Sequence, residues 1–149
     1  MVKKIGIGLV ALFIAIQFFR IDKTNPAIDL NQDFIEITKP PTEVAQILKT
    51  SCYDCHSNAS HYPWYSNVAP VSWWVKDHID EGRDELNFSE WGTFTEKRKT
   101  KKIKAVIDEV EENEMPLPPY LITHQDAKLT SEQTQKLLDW FKYLRMKRG

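Results

Sequence analysis

The chain has 149 residues, room for one domain of ordinary size. Its 20 Lys and Arg against 21 Asp and Glu leave a formal net charge of −1, so its electrostatics give no case for binding nucleic acid. With 42% hydrophobic and 28% charged residues, 5 Gly and 8 Pro, it is neither a disordered chain, a multi-span membrane protein nor a glycine-rich phosphate-loop fold.

Lys3 and Lys4 precede an apolar run from Ile5 to Phe19, broken only by Gly6, Gly8 and Gln17 and closed by Arg20. A charged start followed by an apolar run is the pattern of an export signal. No small-x-small cleavage site follows, because the chain continues Gln17-Phe18-Phe19-Arg20-Ile21. Residues 1–21 therefore read as an uncleaved signal anchor, with a cleaved signal peptide as the alternative. The run is somewhat short of the ~20 residues that cross a bilayer, a shortfall that tilt, thinning and Ile21 accommodate. The two lysines put the N-terminus in the cytoplasm and everything after Arg20 on the periplasmic face of a bacterial inner membrane.

Residues 22–41 read as a linker. They contain Pro26 and the pair Pro40-Pro41, and their apolar residues keep no helical spacing, with at most a short extended piece at Phe34 to Thr38. From Thr42 the spacing of Val44, Ile47 and Leu48 predicts a helix. A second is predicted from Val71 to Leu86, weakened at Gly82, and a third from Thr95 to Asn113 carrying Ile103, Val106, Ile107 and Val110. Met115 to Pro119 is expected to be non-helical, since Pro116, Pro118 and Pro119 break a hydrogen-bond ladder. The last helix starts at Thr130 or Ser131, where Thr130 and Gln133 fit a capping box, and buries Leu137, Leu138, Phe141 and Leu144. Nothing alternates with period two, so the fold class is all-α.

Both cysteines of the chain lie in Cys52-Tyr53-Asp54-Cys55-His56, the C-x-x-C-H signature of c-type haem attachment. Cys52 and Cys55 are spaced to add to the two vinyl groups of one haem c, and His56 is then the proximal axial ligand. Three other readings compete. A thioredoxin-like redox pair needs a βαβ context that is missing here. A zinc site needs further ligands at a second pair. A plain disulfide is the third, since an exporting compartment is oxidising.

For the sixth iron position Met115 is the first candidate, held in a proline-stiffened loop; a Met opposite a His raises the haem potential and favours electron transfer. His78, behind Trp73-Trp74, is the weaker alternative. His124 and His61 are minor candidates, His61 because it lies only five residues from His56, and Met146 sits in a charged C-terminal end. Trp64, Tyr65, Trp73, Trp74, Trp91 and Trp140 are candidates to line the haem, or else an ordinary aromatic core. The basic run Lys97 to Lys104 and the acidic run Asp108 to Glu114 read first as solvated helix faces, with a docking surface for a redox partner as the alternative.

The motif is followed by Ser57-Asn58, by Tyr62-Pro63-Trp64-Tyr65 and by Ala69-Pro70-Val71-Ser72-Trp73-Trp74. Further on come His78, Glu81-Gly82-Arg83, Leu86-Asn87-Phe88-Ser89-Glu90-Trp91, Met115-Pro116-Leu117, Tyr120, His124 and Trp140. In these blocks the chain resembles the small bacterial haem-binding domain proteins, over about Val44 to Leu144. The resemblance implies covalent haem on a compact helical, cytochrome c-like domain, here residues 42–149, and implies no particular reaction. The expectation is thus a membrane-anchored, extracytoplasmic monohaem protein that carries single electrons for unidentified redox partner proteins, rather than an enzyme. A haem-based sensor or gas-binding module, or a peroxidase-like enzyme, would instead need an open sixth iron position.

Overall fold

The computed structural model describes residues 2–148. Eight α-helices follow one another among them: α1 (Val2–Ile16), α2 (Phe34–Thr38), α3 (Thr42–Ser51), α4 (Tyr53–His56), α5 (Val71–Glu85), α6 (Glu96–Glu111), α7 (Pro118–Leu121) and α8 (Ser131–Met146). Short 3-10 turns lie between several of them, and the described residues contain no strand, so the all-α expectation holds.

Helix boundaries follow local chemistry. Thr95 caps α6 by accepting from the Arg98 backbone. Thr130 caps α8 in the expected reciprocal capping box with Gln133. The apolar stripes of α3, α6 and α8 meet in one core: Ile47 and Leu48, then Ile103, Ile107 and Val110, then Leu137, Phe141 and Leu144. The polar faces of the two long helices remain in water.

Three expectations are corrected. Residues 34–38 form a helix rather than an extended piece of linker, because the buried Asp33 side chain caps α2 by accepting from the Ile35 and Glu36 backbone. Phe34 then enters the core at 0% exposure, its ring 4.9 Å from Trp91, 5.1 Å from Phe88 and 5.5 Å from Phe141. The second half of the stretch 22–41 therefore packs with the domain. Non-helical backbone after Met115 extends only to Leu117; Pro118 and Pro119 open α7, where the first turn needs no N–H from proline.

The third correction concerns the N-terminus. No helix among the described residues is long and apolar enough to cross a membrane. The apolar α1 has 15 residues and buries none of them; it ends at Ile16, about 22 Å from its start at 1.5 Å per residue. The full stretch 1–21 does not continue as one helix.

Candidate functional site

The C-x-x-C-H segment sits at the junction of α3 and α4. Cys52 ends α3, its N–H donating to Leu48 O, and its carbonyl accepts from the Cys55 N–H at 3.3 Å and the His56 N–H at 2.9 Å. One turn of backbone thus presents both thiols and the imidazole together. Both cysteines are free and half-buried. Burial pushes the Cys52 thiol up to about 12 and the Cys55 thiol up to about 11, the nearby Asp54 carboxylate adding to the latter. Each sulfur is therefore held as S–H at neutral pH.

The imidazole of His56 has a fixed tautomer. Its Nδ1 lies 2.8 Å from Gly82 O and 3.0 Å from Leu86 O, both at the end of α5. Carbonyls only accept, so Nδ1 carries the proton and Nε2 keeps a free lone pair. Burial also lowers the His56 pKa, which keeps the ring neutral. This arrangement depends on Gly82: a Cβ there would stand 2.9 Å from Cys55 O and 3.2 Å from Cys55 Cβ. The glycine that weakens the helical pattern is the residue that lets α5 lie against α4.

Three cavities adjoin the motif: a small one of about 40 Å³ beside Asp54 and Cys55, bordered also by His61, His78 and His124, and two larger ones. One of about 240 Å³ has mainly apolar walls, among them Leu48 of α3, Val106 of α6, Leu137 of α8 and Phe88 from the turn after α5, with Lys102 also lining it, 3.2 Å from Glu85. The other, of about 200 Å³, is bordered by Cys55, His78, Gly82 and Tyr120. Cys52, His56, Met115 and Pro116 line both. The loop bearing Met115 is tied at each end: the Met115 N–H donates to Glu109 O at 3.3 Å, and Tyr120 Oη–H donates to Asp54 Oδ2 at 2.9 Å.

The structure brings together Cys52, Cys55, His56 and Met115, and leaves the other candidates apart or at the margin. Of the two larger cavities His78 borders the second only; its Nδ1 is 2.8 Å from Trp74 O and its ring lies 4.2 Å from the Trp74 ring. His124 is outside both, stacked on Tyr120 at 4.0 Å, with Nε2 3.3 Å from Tyr65 Oη. His61 is exposed, as is Met146 at 74%. None of the six aromatic residues expected around the haem lines either larger cavity, and only Tyr65 and Trp74 border the small one: Trp91 is buried against Phe34, Trp140 packs on the core from outside, and Trp64 is 78% exposed. Phe88 and Tyr120 are the aromatic residues that do line the larger two, on segments whose apolar spacing carries no mark of it.

The donor set fits a haem. Two protonated thiols, one imidazole lone pair and one thioether beside apolar walls suit a large flat iron macrocycle. Zinc is a poor fit, because no group of three or more His, Cys, Asp or Glu among the described residues is placed to hold a metal ion. Comparison with known proteins agrees. A family model described as a haem-binding domain matches residues 11–143. No curated protein and no solved structure matches the chain. The match spans nearly the whole length, and the chain accordingly belongs to the haem-binding domain family, with haem as its cofactor.

Proposed function

We propose that the protein is an extracytoplasmic one-electron carrier with one haem c bound covalently through Cys52 and Cys55 and ligated by His56 and Met115. The observation that carries this reading is the His56 ring, its Nδ1–H held by two carbonyls and its Nε2 free, on walls it shares with Met115. Bound haem supplies a reversible Fe(III)/Fe(II) couple. The chain's own part is to hold, orient and shield.

Cys52 and Cys55 would hold the haem as thioethers, each S–H adding across a vinyl C=C with its hydrogen going to the other vinyl carbon, so that no oxidant would be needed. The Gly82 and Leu86 carbonyls keep the imidazole from turning and raise its basicity as a ligand. Apolar walls from Leu48, Val106 and Leu137 exclude water, which disfavours the charged ferric form and raises the potential. Lysines at the N-terminus and an unburied apolar α1 support attachment to the periplasmic face of the inner membrane, local thinning making up the length that α1 lacks.

The test is an absorption spectrum of the full chain, produced with haem-maturation machinery, against Met115→Ala. The expected ferric wild type shows the sulfur-to-iron charge-transfer band and its reduced form ignores carbon monoxide. Met115→Ala loses the band and binds the gas, and haem stays with the chain through a denaturing gel in both. A high-spin wild type that takes up carbon monoxide refutes the carrier reading.

A further inference from the structure

Residues 17–27, which follow α1, are fastened along the loop after the C-x-x-C-H motif. The Gln17 amide bonds both backbone groups of Ala69: its Nε2–H donates to Ala69 O at 3.0 Å and its Oε1 accepts from Ala69 N at 2.9 Å. Trp73 Nε1–H donates to Phe19 O at 2.8 Å, and Lys23 Nζ donates to Asn67 Oδ1. Asn25 Nδ2 donates to Ser60 O at 2.8 Å, while Arg83 bridges Asn25 Oδ1 at 2.7 Å, Ser60 Oγ at 2.9 Å and Ser57 O at 2.8 Å. Successive pins of this kind leave no slack between α1 and the domain.

We propose that this strap seats the haem domain flat on the bilayer, with Phe18, Phe19, Trp64, Val71 and Trp74 at headgroup level of a membrane containing anionic phospholipid. The inference rests on the reading of α1 as membrane-inserted. Length argues for it: α1 covers about 22 Å of a hydrocarbon core of about 30 Å. A domain pinned at Gln17, the residue after α1, is drawn onto the surface by that deficit. The residues brought there suit an interface. Phe18 is 82% exposed next to the pin at Gln17, and Trp64 lies three residues before the pin at Asn67. Val71 and Trp74 are exposed one helical turn apart at the start of α5, just after the pin at Ala69. Exposed tryptophan and phenylalanine with flanking cations is the composition of a membrane–water boundary. Between strap and loop lies a cavity of about 270 Å³ bordered by Arg20 and Lys23, with Asp22, Ser66, Asn67 and Ser72. Its two cations supply attraction for anionic headgroups.

The experiment reconstitutes the haem-loaded full chain into vesicles of phosphatidylcholine with or without phosphatidylglycerol, doped with a phospholipid carrying a photoactivated carbene precursor near its headgroup. Flotation reads attachment, and mass spectrometry maps the adducts. Expected are adducts on α1, on residues 18–23 and on Trp64 or Trp74, several-fold more with phosphatidylglycerol, and none on α8. The variant Gln17→Ala, Asn25→Ala, Asn67→Ala, Trp73→Phe, which removes the pins at all four of these places, should still float and keep its α1 adducts while losing those at Trp64 and Trp74. Flotation with adducts on α1 alone overturns the seated domain and leaves membrane insertion standing. Adducts at Trp64 that survive this variant overturn the strap as the cause. Failure to float overturns the membrane reading and this inference with it.

Discussion

Replacing Gly82 with alanine sets two effects of opposite sign against each other. In a helix interior alanine is better than glycine by about 1 kcal/mol. At this site the new Cβ would meet the Cys55 carbonyl oxygen at 2.9 Å and its carbon at 3.2 Å, where ordinary contact begins near 3.4 Å. Backbone atoms cannot swing aside as a side chain can, so α4 and α5 must part by about half an ångström, and overpacking of this kind costs about 1–3 kcal/mol. Separation also stretches the 2.8 Å bond from His56 Nδ1 to Gly82 O, a further loss of about 1 kcal/mol. Leu86 O at 3.0 Å retains the proton on Nδ1, so the tautomer survives while the ring loses a fixed angle. Set against the helix gain, the net is a destabilisation of about 1–3 kcal/mol, or roughly 3–10 °C in Tm for a chain of this size. Thermal unfolding of the haem-loaded protein followed by circular dichroism measures it. A Tm that rises by a few degrees would mean that helix propensity dominates and that α5 does not lie tight against the motif.

Phe34→Ala tests whether the segment before α3 belongs to the core. Loss of a fully buried ring among Phe88, Trp91 and Phe141 should cost about 3–5 kcal/mol in urea unfolding, and a cost near zero would restore the linker reading. Thr130→Ala removes the α8 cap and should cost about 1 kcal/mol, with Thr130→Ser restoring most of it; equal stabilities would show that the reciprocal cap contributes nothing. Burial, followed by the Asp54 carboxylate, raises the Tyr120 phenol, and burial with Asp33 does the same for Tyr53. With folded values above the ordinary value of about 10, stability is intact below that pH. It is lost above it, as the unfolded chain gives up phenolic protons that the folded chain keeps. The urea midpoint should therefore fall on raising pH from about 9 to about 11, less steeply in Tyr120→Phe, and parallel profiles would refute the coupling.

What the sequence made legible is chemistry with a fixed local spacing. C-x-x-C-H needs one turn of backbone, and Cys52, Cys55 and His56 share one. The Thr130–Gln133 cap spans three residues and forms as expected. What stayed hidden depends on contacts between distant segments. Phe34 lacks helical neighbours in sequence because its partners, Phe88 and Phe141, arrive from elsewhere in the chain. The hydrogen bonds that orient His56 come from main-chain carbonyls of Gly82 and Leu86, and carbonyls carry no residue-type signature. Tryptophans mislead for a related reason: their size suits a core or an interface as readily as a haem, and Trp91 chose the first.

The same distinction separates Met115 from His78 in the proposed ligand pair. Residue chemistry alone favours histidine, since imidazole is the stronger donor. But His78 belongs to α5, where its Nδ1 is occupied by the Trp74 carbonyl of its own helix and its ring lies tilted against the Trp74 indole. Presenting it to the iron would require giving up those contacts on a helix whose far end already holds the His56 imidazole. Met115 lies on a loop independent of α5, bound to α6 through Glu109 and to α4 through Tyr120 and Asp54. It borders both cavities that His56 borders, where His78 borders one. Two ligands on opposite faces of one haem need two separately supported elements, and the α4–α5 pair supplies only the first. Tyr120→Phe, which cuts the tie to Asp54, should for that reason weaken the sulfur-to-iron band and quicken carbon monoxide uptake, while His78→Ala should leave both unchanged; the reverse pattern would transfer the sixth position to His78.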